Sequence, residues 1–233
     1  MKRLKLVASL FIMAAAFSVS SCSSDNDSPA VGEGTSEGDY WPMAVNNQWT
    51  YKIDGEEQEP MKIASTQSIS GKTYFKYDNL FGTSTMGSAF EGEALTRKTG
   101  GNYYIRTSVT IPATGQTPGI TVSPLEMVIF KDNLDAGQTW TETLKQTTTV
   151  TGTPAIVTTI VTVGKILEKN GSITVGGVTY TNVIKSELQQ TTIGIVSTST
   201  YWFAKDVGIV KAQTVVPAQG VDITNELSSY TVN

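Results

Sequence analysis

From Tyr40 onward, strand-length runs of Thr, Val, Ile and Tyr recur between turn residues, and this rhythm commits the chain to a β fold. β-branched and aromatic side chains fit a half-buried pleated surface and pack poorly against a helical turn. Strands are expected at residues 49–54, 61–69, 73–80, 94–99, 103–111 and 120–130, then at 139–151, 156–168, 172–175, 178–190, 196–204, 209–216 and 221–232. Gly100-Gly101-Asn102 and Lys205-Asp206-Val207-Gly208 read as hairpin turns. Asn170-Gly171 suits a type I′ turn, because both residues tolerate positive φ. Gly176-Gly177 is a second turn or a bulge. One helical turn is conceivable around Leu125 to Leu134, opened by Pro124, although the pattern there suits a strand equally well. Short hairpin connections predict an all-β antiparallel meander. The long segments favour a curved sheet or half-barrel, with a β-sandwich as the alternative.

The first 39 residues follow a different logic. Lys2, Arg3 and Lys5 precede a 12-residue apolar run from Leu6 to Phe17. As a helix it would measure about 18 Å, too short for a hydrocarbon core of about 30 Å, so it reads as the core of a signal peptide ending at residue 21. Val19-Ser20-Ser21-Cys22 resembles a bacterial lipobox, with Ser rather than the commoner Gly or Ala before the cysteine. The resemblance implies cleavage before Cys22, a diacylglycerol thioether on its sulfur and an acylated amino terminus. Two or more acyl chains hold stably to a membrane. The alternative is an ordinary secretory signal that leaves Cys22 as a free thiol. Residues 23–39 are rich in Ser, Gly, Asp and Glu and are expected to form a disordered tether. Such a tether would span roughly 20–25 Å. Asp25 and Asp27 resemble the acidic export signal of surface lipoproteins in Bacteroidetes, and also suit a plain solvated linker.

Composition narrows the function. Loss of the leader removes three basic residues, and the remaining 14 face 21 acidic ones, a formal charge of −7. No basic stripe is present, which argues against nucleic acid as a partner. Histidine is absent and Cys22 is the sole cysteine. That excludes Ser-His-Asp and Cys-His catalysis, His-ligated metals and any internal disulfide. Residues 40–233 suffice for a single domain with one core.

Three aromatic motifs punctuate that domain. Tyr40-Trp41-Pro42 with Asn46-Asn47-Gln48-Trp49-Thr50-Tyr51 opens it, Gly137-Gln138-Thr139-Trp140 lies mid-chain, and Tyr201-Trp202-Phe203-Ala204 leads into Val207-Gly208-Ile209-Val210-Lys211 near the end. Together they resemble a loose group of bacterial lipoproteins, especially from Bacteroidetes, with a "Y-x-P…G-N-x-W-x-Y" start, a central "G-x-x-W" and a late "Y-Y-A-x-x-V-G-x-V-K" hairpin. Here Asn46-Asn47 replaces Gly-Asn, and Trp202-Phe203 replaces the paired tyrosines. The resemblance implies a curved half-barrel like that of the Lol lipoprotein carriers, with a concave apolar face. It implies no chemistry.

Acidic candidates are sparse. Glu91 and Glu93 share a strand face, Glu56, Glu57 and Glu59 cluster beside Gly55, and Asp132-Asn133-Leu134-Asp135 lacks the alternating oxygens of a calcium loop. Gly32-Glu33-Gly34 has no strand-to-helix context for binding phosphate. No catalytic residue, metal or cofactor is therefore expected. The reading is a lipid-anchored outer-membrane lipoprotein, on its periplasmic or surface face, that binds an apolar or amphipathic ligand through Trp49, Trp140, Tyr201 and Trp202. The alternative is an accessory subunit of a nutrient-uptake system that touches glycans, with its protein partner unspecified.

Overall fold

The structure is a computed structural model that describes residues 34–78, 91–115 and 117–233. Cys22, the leader and most of the proposed tether lie outside the described residues. The strands are β1 (Gln48–Ile53), β2 (Glu56–Glu57), β3 (Met61–Ile69), β4 (Lys72–Tyr77), β5 (Glu91–Thr99), β6 (Asn102–Ile111) and β7 (Ile120–Lys131). They continue as β8 (Thr139–Val150), β9 (Ile156–Val175), β10 (Val178–Thr192), β11 (Ile195–Ala204), β12 (Gly208–Val216) and β13 (Val221–Thr231). Each pairs antiparallel with its sequence neighbour, except that β1 reaches past the two-residue β2 to β3.

The meander closes on itself. β1 runs along β13 from Gln48 opposite Thr231 to Ile53 opposite Asn225, with a bulge between Thr50 and Tyr51. The result is a closed barrel of 12 strands, which corrects both the half-barrel and the sandwich. A half-barrel would leave two edges of unpaired N–H and C=O groups, whereas closure pairs them. The helical turn considered at Leu125 to Leu134 is replaced by strand: β7 continues to Lys131, and a turn follows at residues 132–134. Pro124 has no N–H to donate, and the ladder to β6 accommodates it by a register shift between Thr107 and Val109. Asn170-Gly171 does not turn the chain. Asn170 adopts φ 54° inside the 20-residue β9, and the reversal falls at Gly176 and Gly177, with φ 58° and 84°.

Alternation along the strands puts large apolar side chains inside. At one end, where β1 begins and β11 finishes, aromatic rings fill the lumen. Phe130 and Phe203 stack at 4.0 Å with 13° between their planes, and Tyr103 lies 5.2 Å from Phe130. Residues 34–47 enter at this end. Trp41 is wholly buried, 6.2 Å from Tyr77 and 6.4 Å from Phe203, and Tyr40 meets Phe130 edge-on at 6.0 Å. Burying one such ring stabilises the fold by about 1.5–3 kcal/mol. Outside, Lys52, Glu226, Lys211, Trp202, Lys185 and Glu168 are cross-strand neighbours in one row over six strands. The charged row is local: β9 also turns Val157, Val161, Val163 and Leu167 towards solvent.

One seam is held by side chains. β7 and β8 share ladder pairs only from Ile120–Val150 to Val122–Thr148. Beyond them, Val128 N–H donates to Glu142 Oε2 at 2.8 Å, and Thr147 N–H donates to Ser123 Oγ at 2.9 Å. Trp140 Nε1 donates weakly to Val128 O at 3.4 Å. Burial raises the Glu142 carboxyl above its ordinary range, against the pull of Val128 N–H and Lys131.

A carboxyl whose folded pKa is raised binds protons more readily in the native state, so it favours folding as pH falls through that pKa towards 4.5. Glu142→Gln keeps an oxygen for Val128 and removes the buried charge. We expect it to raise Tm at pH 7, by a margin that shrinks on acidification towards 4.5. Glu142→Ala strands the Val128 N–H and should cost about 1–3 kcal/mol in urea unfolding.

Candidate functional site

The four aromatic residues expected to line a ligand face do not meet in one place. Trp49 is completely buried, and its Nε1 donates to Val207 O at 2.7 Å, fastening β1 to the turn between β11 and β12. Trp140 is also buried. It lies over Gly164, where a Cβ would fall 2.1 Å from two indole carbons. Tyr201 turns inward, 5.8 Å from Phe203, and burial raises its phenol pKa. Trp202 turns outward, its ring 5.0 Å from Lys185 Nζ and 5.9 Å from Lys211 Nζ. Alternation separates neighbours on a strand in this way. The acidic candidates are dispersed as well. Glu93 faces Lys76 at 3.8 Å and Glu57 accepts from Ser228 at 3.0 Å, while the side chain of Glu91 lies outside the described residues.

Asp132 is the acid the structure uses most, as an anchor for the entering chain. Fully buried, it accepts from Ser36 Oγ at 2.7 Å, Glu37 N–H at 3.2 Å and Tyr103 Oη at 3.2 Å. Tyr103 Oη in turn accepts from Tyr40 N–H at 2.9 Å. Lys98 Nζ lies 3.7 Å from Asp132 and donates to Gly38 O at 2.5 Å. The segment expected to be a loose tether through residue 39 is thus fixed to the barrel from Gly34, whose carbonyl accepts from Gly101 N–H. Asn46 adopts φ 75°, the left-handed geometry that suits the glycine this motif carries elsewhere.

Where the entering chain passes under the hairpin of β3 and β4, a cavity of about 510 Å³ opens in the barrel wall. It forms because β4 and β5 pair only at Phe75–Thr96 and Lys76–Leu95 and then splay apart. Trp41, Met43 and Phe75 supply its apolar surface, and Asp39, Lys72, Arg97 and Lys98 its charged groups. Burial raises the Asp39 carboxyl, with Lys98 4.0 Å away opposing the shift. Trp41 Nε1, Tyr77 Oη and Thr96 Oγ1 are sealed from solvent and lie close to one another, without a well-formed hydrogen bond among the described residues.

One wall of the cavity is clamped from outside. Arg97 Nε and Nη2 donate to the two oxygens of Glu126 at 3.0 and 2.6 Å, and Nη1 donates to Thr99 at 2.7 Å. Its guanidinium stacks 3.5 Å above Tyr104, and Tyr74 donates a short hydrogen bond to Glu126. Burial works against the Glu126 charge, but the hydrogen bonds from Arg97 and Tyr74 win and hold its carboxyl below the ordinary range.

No family description matches the chain, and no curated protein matches it. Among solved structures, a Bacteroides fragilis protein inferred to be exported, with a YmcC-like fold, aligns with 82% of this chain and 98% of its own. The identity is 10% and the TM-score 0.45. A Parabacteroides distasonis protein inferred to be a lipoprotein covers the same shares at 10% identity, with a TM-score of 0.43.

Glu126→Ala leaves Arg97, whose side chain is 5% exposed, as an unpaired buried charge and should cost about 3 kcal/mol at neutral pH. A depressed carboxyl contributes stability above its unfolded value of 4.5 and loses it as pH falls through the folded value. Urea unfolding should therefore show wild type and Glu126→Ala converging in acid, with the deficit complete at pH 7.

Proposed function

We propose that this chain is a non-enzymatic, lipid-anchored protein of the bacterial cell envelope, and that its barrel is a binding module for an amphipathic ligand. The cavity under the β3–β4 hairpin carries this reading. Its volume falls within the usual range for small-molecule sites, and it combines an apolar surface with a few convergent polar groups. The aromatic lumen is filled by its own side chains, so the binding role moves from Trp49, Trp140, Tyr201 and Trp202 to the wall between β4 and β5.

The anchor supports the same reading. Gly34 lies at the aromatic end, beside Gly101 and close to the cavity. A tether running from Cys22 to Gly34 would present that end towards the bilayer. In this reading Cys22 is acylated and the outer membrane holds the protein. The far-end turns, including Ile193-Gly194 and residues 217–220, then point away and are free to meet a partner. No catalytic role is proposed, since the described carboxylates act as anchors, clamps and surface pairs.

Two measurements test this. Labelling of expressing cells with radioactive palmitate should mark the wild type and leave Cys22→Ala unmarked; equal labelling removes the anchor. Native mass spectrometry of the full-length protein, released from detergent in the gas phase, should show a reproducible added mass beyond the acyl groups. A bare acylated mass, repeated after incubation with envelope extract, counts against the binding module.

A further inference from the structure

Resting on the binding-module reading, we infer that the cavity between β4 and β5 takes a hydroxylated ring bearing a single anionic group, such as a sugar acid. The charges on its walls decide the class. Arg97 is held by Glu126 in two hydrogen bonds, and Lys98 is shared between Asp39 at 4.0 Å and Asp132 at 3.7 Å. Lys72, at the mouth beside Gly71, has no ion-pair partner among the described residues. One cation outside any close ion pair, though its field also reaches Glu126, suits one anionic group. A polyanion would have to compete with Glu126 and Asp132 for cations already engaged.

The other lining groups ask for hydroxyls. Asp39, with its side chain half exposed, can accept a hydrogen bond, and the Thr73 and Thr99 hydroxyls can donate or accept. Phe75 and Met43 provide the apolar surface on which the C–H face of a ring rests. A purely apolar ligand would leave these polar groups unmet, and a simple inorganic anion would leave the apolar surface bare. A free sugar acid and a glycolipid headgroup share the chemistry required.

The test uses the full-length protein in detergent and calorimetric titration with glucuronate, glucose and cyclohexanecarboxylate. Saturable binding of glucuronate is expected, with each of the other two about tenfold weaker, the scale of one hydrogen bond to a charged group. Lys72→Ala should lose about tenfold and Lys72→Arg less than about threefold, while Lys145→Ala, at an exposed position of β8 outside the cavity lining, should bind as wild type. Vesicles carrying a glucuronosyl diacylglycerol separate the sources: tighter binding than free glucuronate supports a headgroup, and equal binding supports a free sugar acid. Equal affinity for glucose and glucuronate, or an unchanged Lys72→Ala, overturns the inference. Preference for cyclohexanecarboxylate overturns it too, yet leaves an amphipathic site standing. Failure of all three probes, together with a bare mass, removes both readings.

Discussion

Pairing of β1 with β13 is the constraint on which the other features depend, because it turns a long meander into a wall without edges. Asn47, just ahead of β1, secures the junction. Its Nδ2 donates to Pro42 O at 3.1 Å, and its Oδ1 accepts from the backbone N–H of Asn233 at 2.9 Å. A single buried amide therefore ties the entering chain, the first strand and the last residue together. Closure fixes the lumen's width, and the lumen's width decides that Phe130 and Phe203 can stack across it. Without the β1–β13 ladder the same side chains would lie on a curved sheet open to water.

The closed wall also explains why ladder defects matter. A 12-strand barrel cannot keep full pairing where its strands carry proline, bulges or projecting hairpins. Among the described residues three seams are thinly paired, β1–β3, β4–β5 and β7–β8, and side chains hold the last two. Between β7 and β8, Glu142 and Ser123 accept hydrogen bonds from backbone N–H groups that have no strand partner. Between β4 and β5 the break stays open, because Arg97, Glu126 and Tyr74 clamp it from outside and the entering chain supports it from within. The β7–β8 break is a patched defect. The β4–β5 break leaves a cavity that mixes apolar and charged groups.

Local signals and non-local ones were unequally legible in the sequence. The alternation in Thr139–Val150 and Ile156–Val175, and the glycines at 176 and 177, mark strands and a turn by rules that act over a few residues. The register of β1 on β13 links positions some 180 residues apart, and no short-range pattern encodes it. The alternation of Tyr201 with Trp202 was readable; which of them faces the lumen depends on closure and was not. The cavity was harder still. Lys72, Arg97 and Lys98 look like ordinary solvent-facing strand residues. The one local hint is Thr96-Arg97-Lys98-Thr99, four polar residues in succession where a strand with one wet face should alternate.

The buried charges show where the barrel departs from plain packing. Buried ionised groups, on either face of the wall, are costly unless each is paired and hydrogen-bonded. Asp132 satisfies its oxygens with Ser36, Glu37 and Tyr103, all of them used to hold the entering chain. Arg97 satisfies its guanidinium with Glu126 and Thr99, which hold the cavity wall. Each group together with its partners could be replaced by apolar side chains if stability alone were at issue, since exchange of a whole buried pair is often neutral or stabilising. Their positions, one under the entering chain and one beside the cavity, instead couple the place where a membrane tether would pull to the place where a ligand would bind. A load on Gly34 passes through Ser36 and Asp132 to Lys98, and Lys98 lines the cavity. The entering chain and the cavity wall are thereby joined by one path of hydrogen bonds and an ion pair.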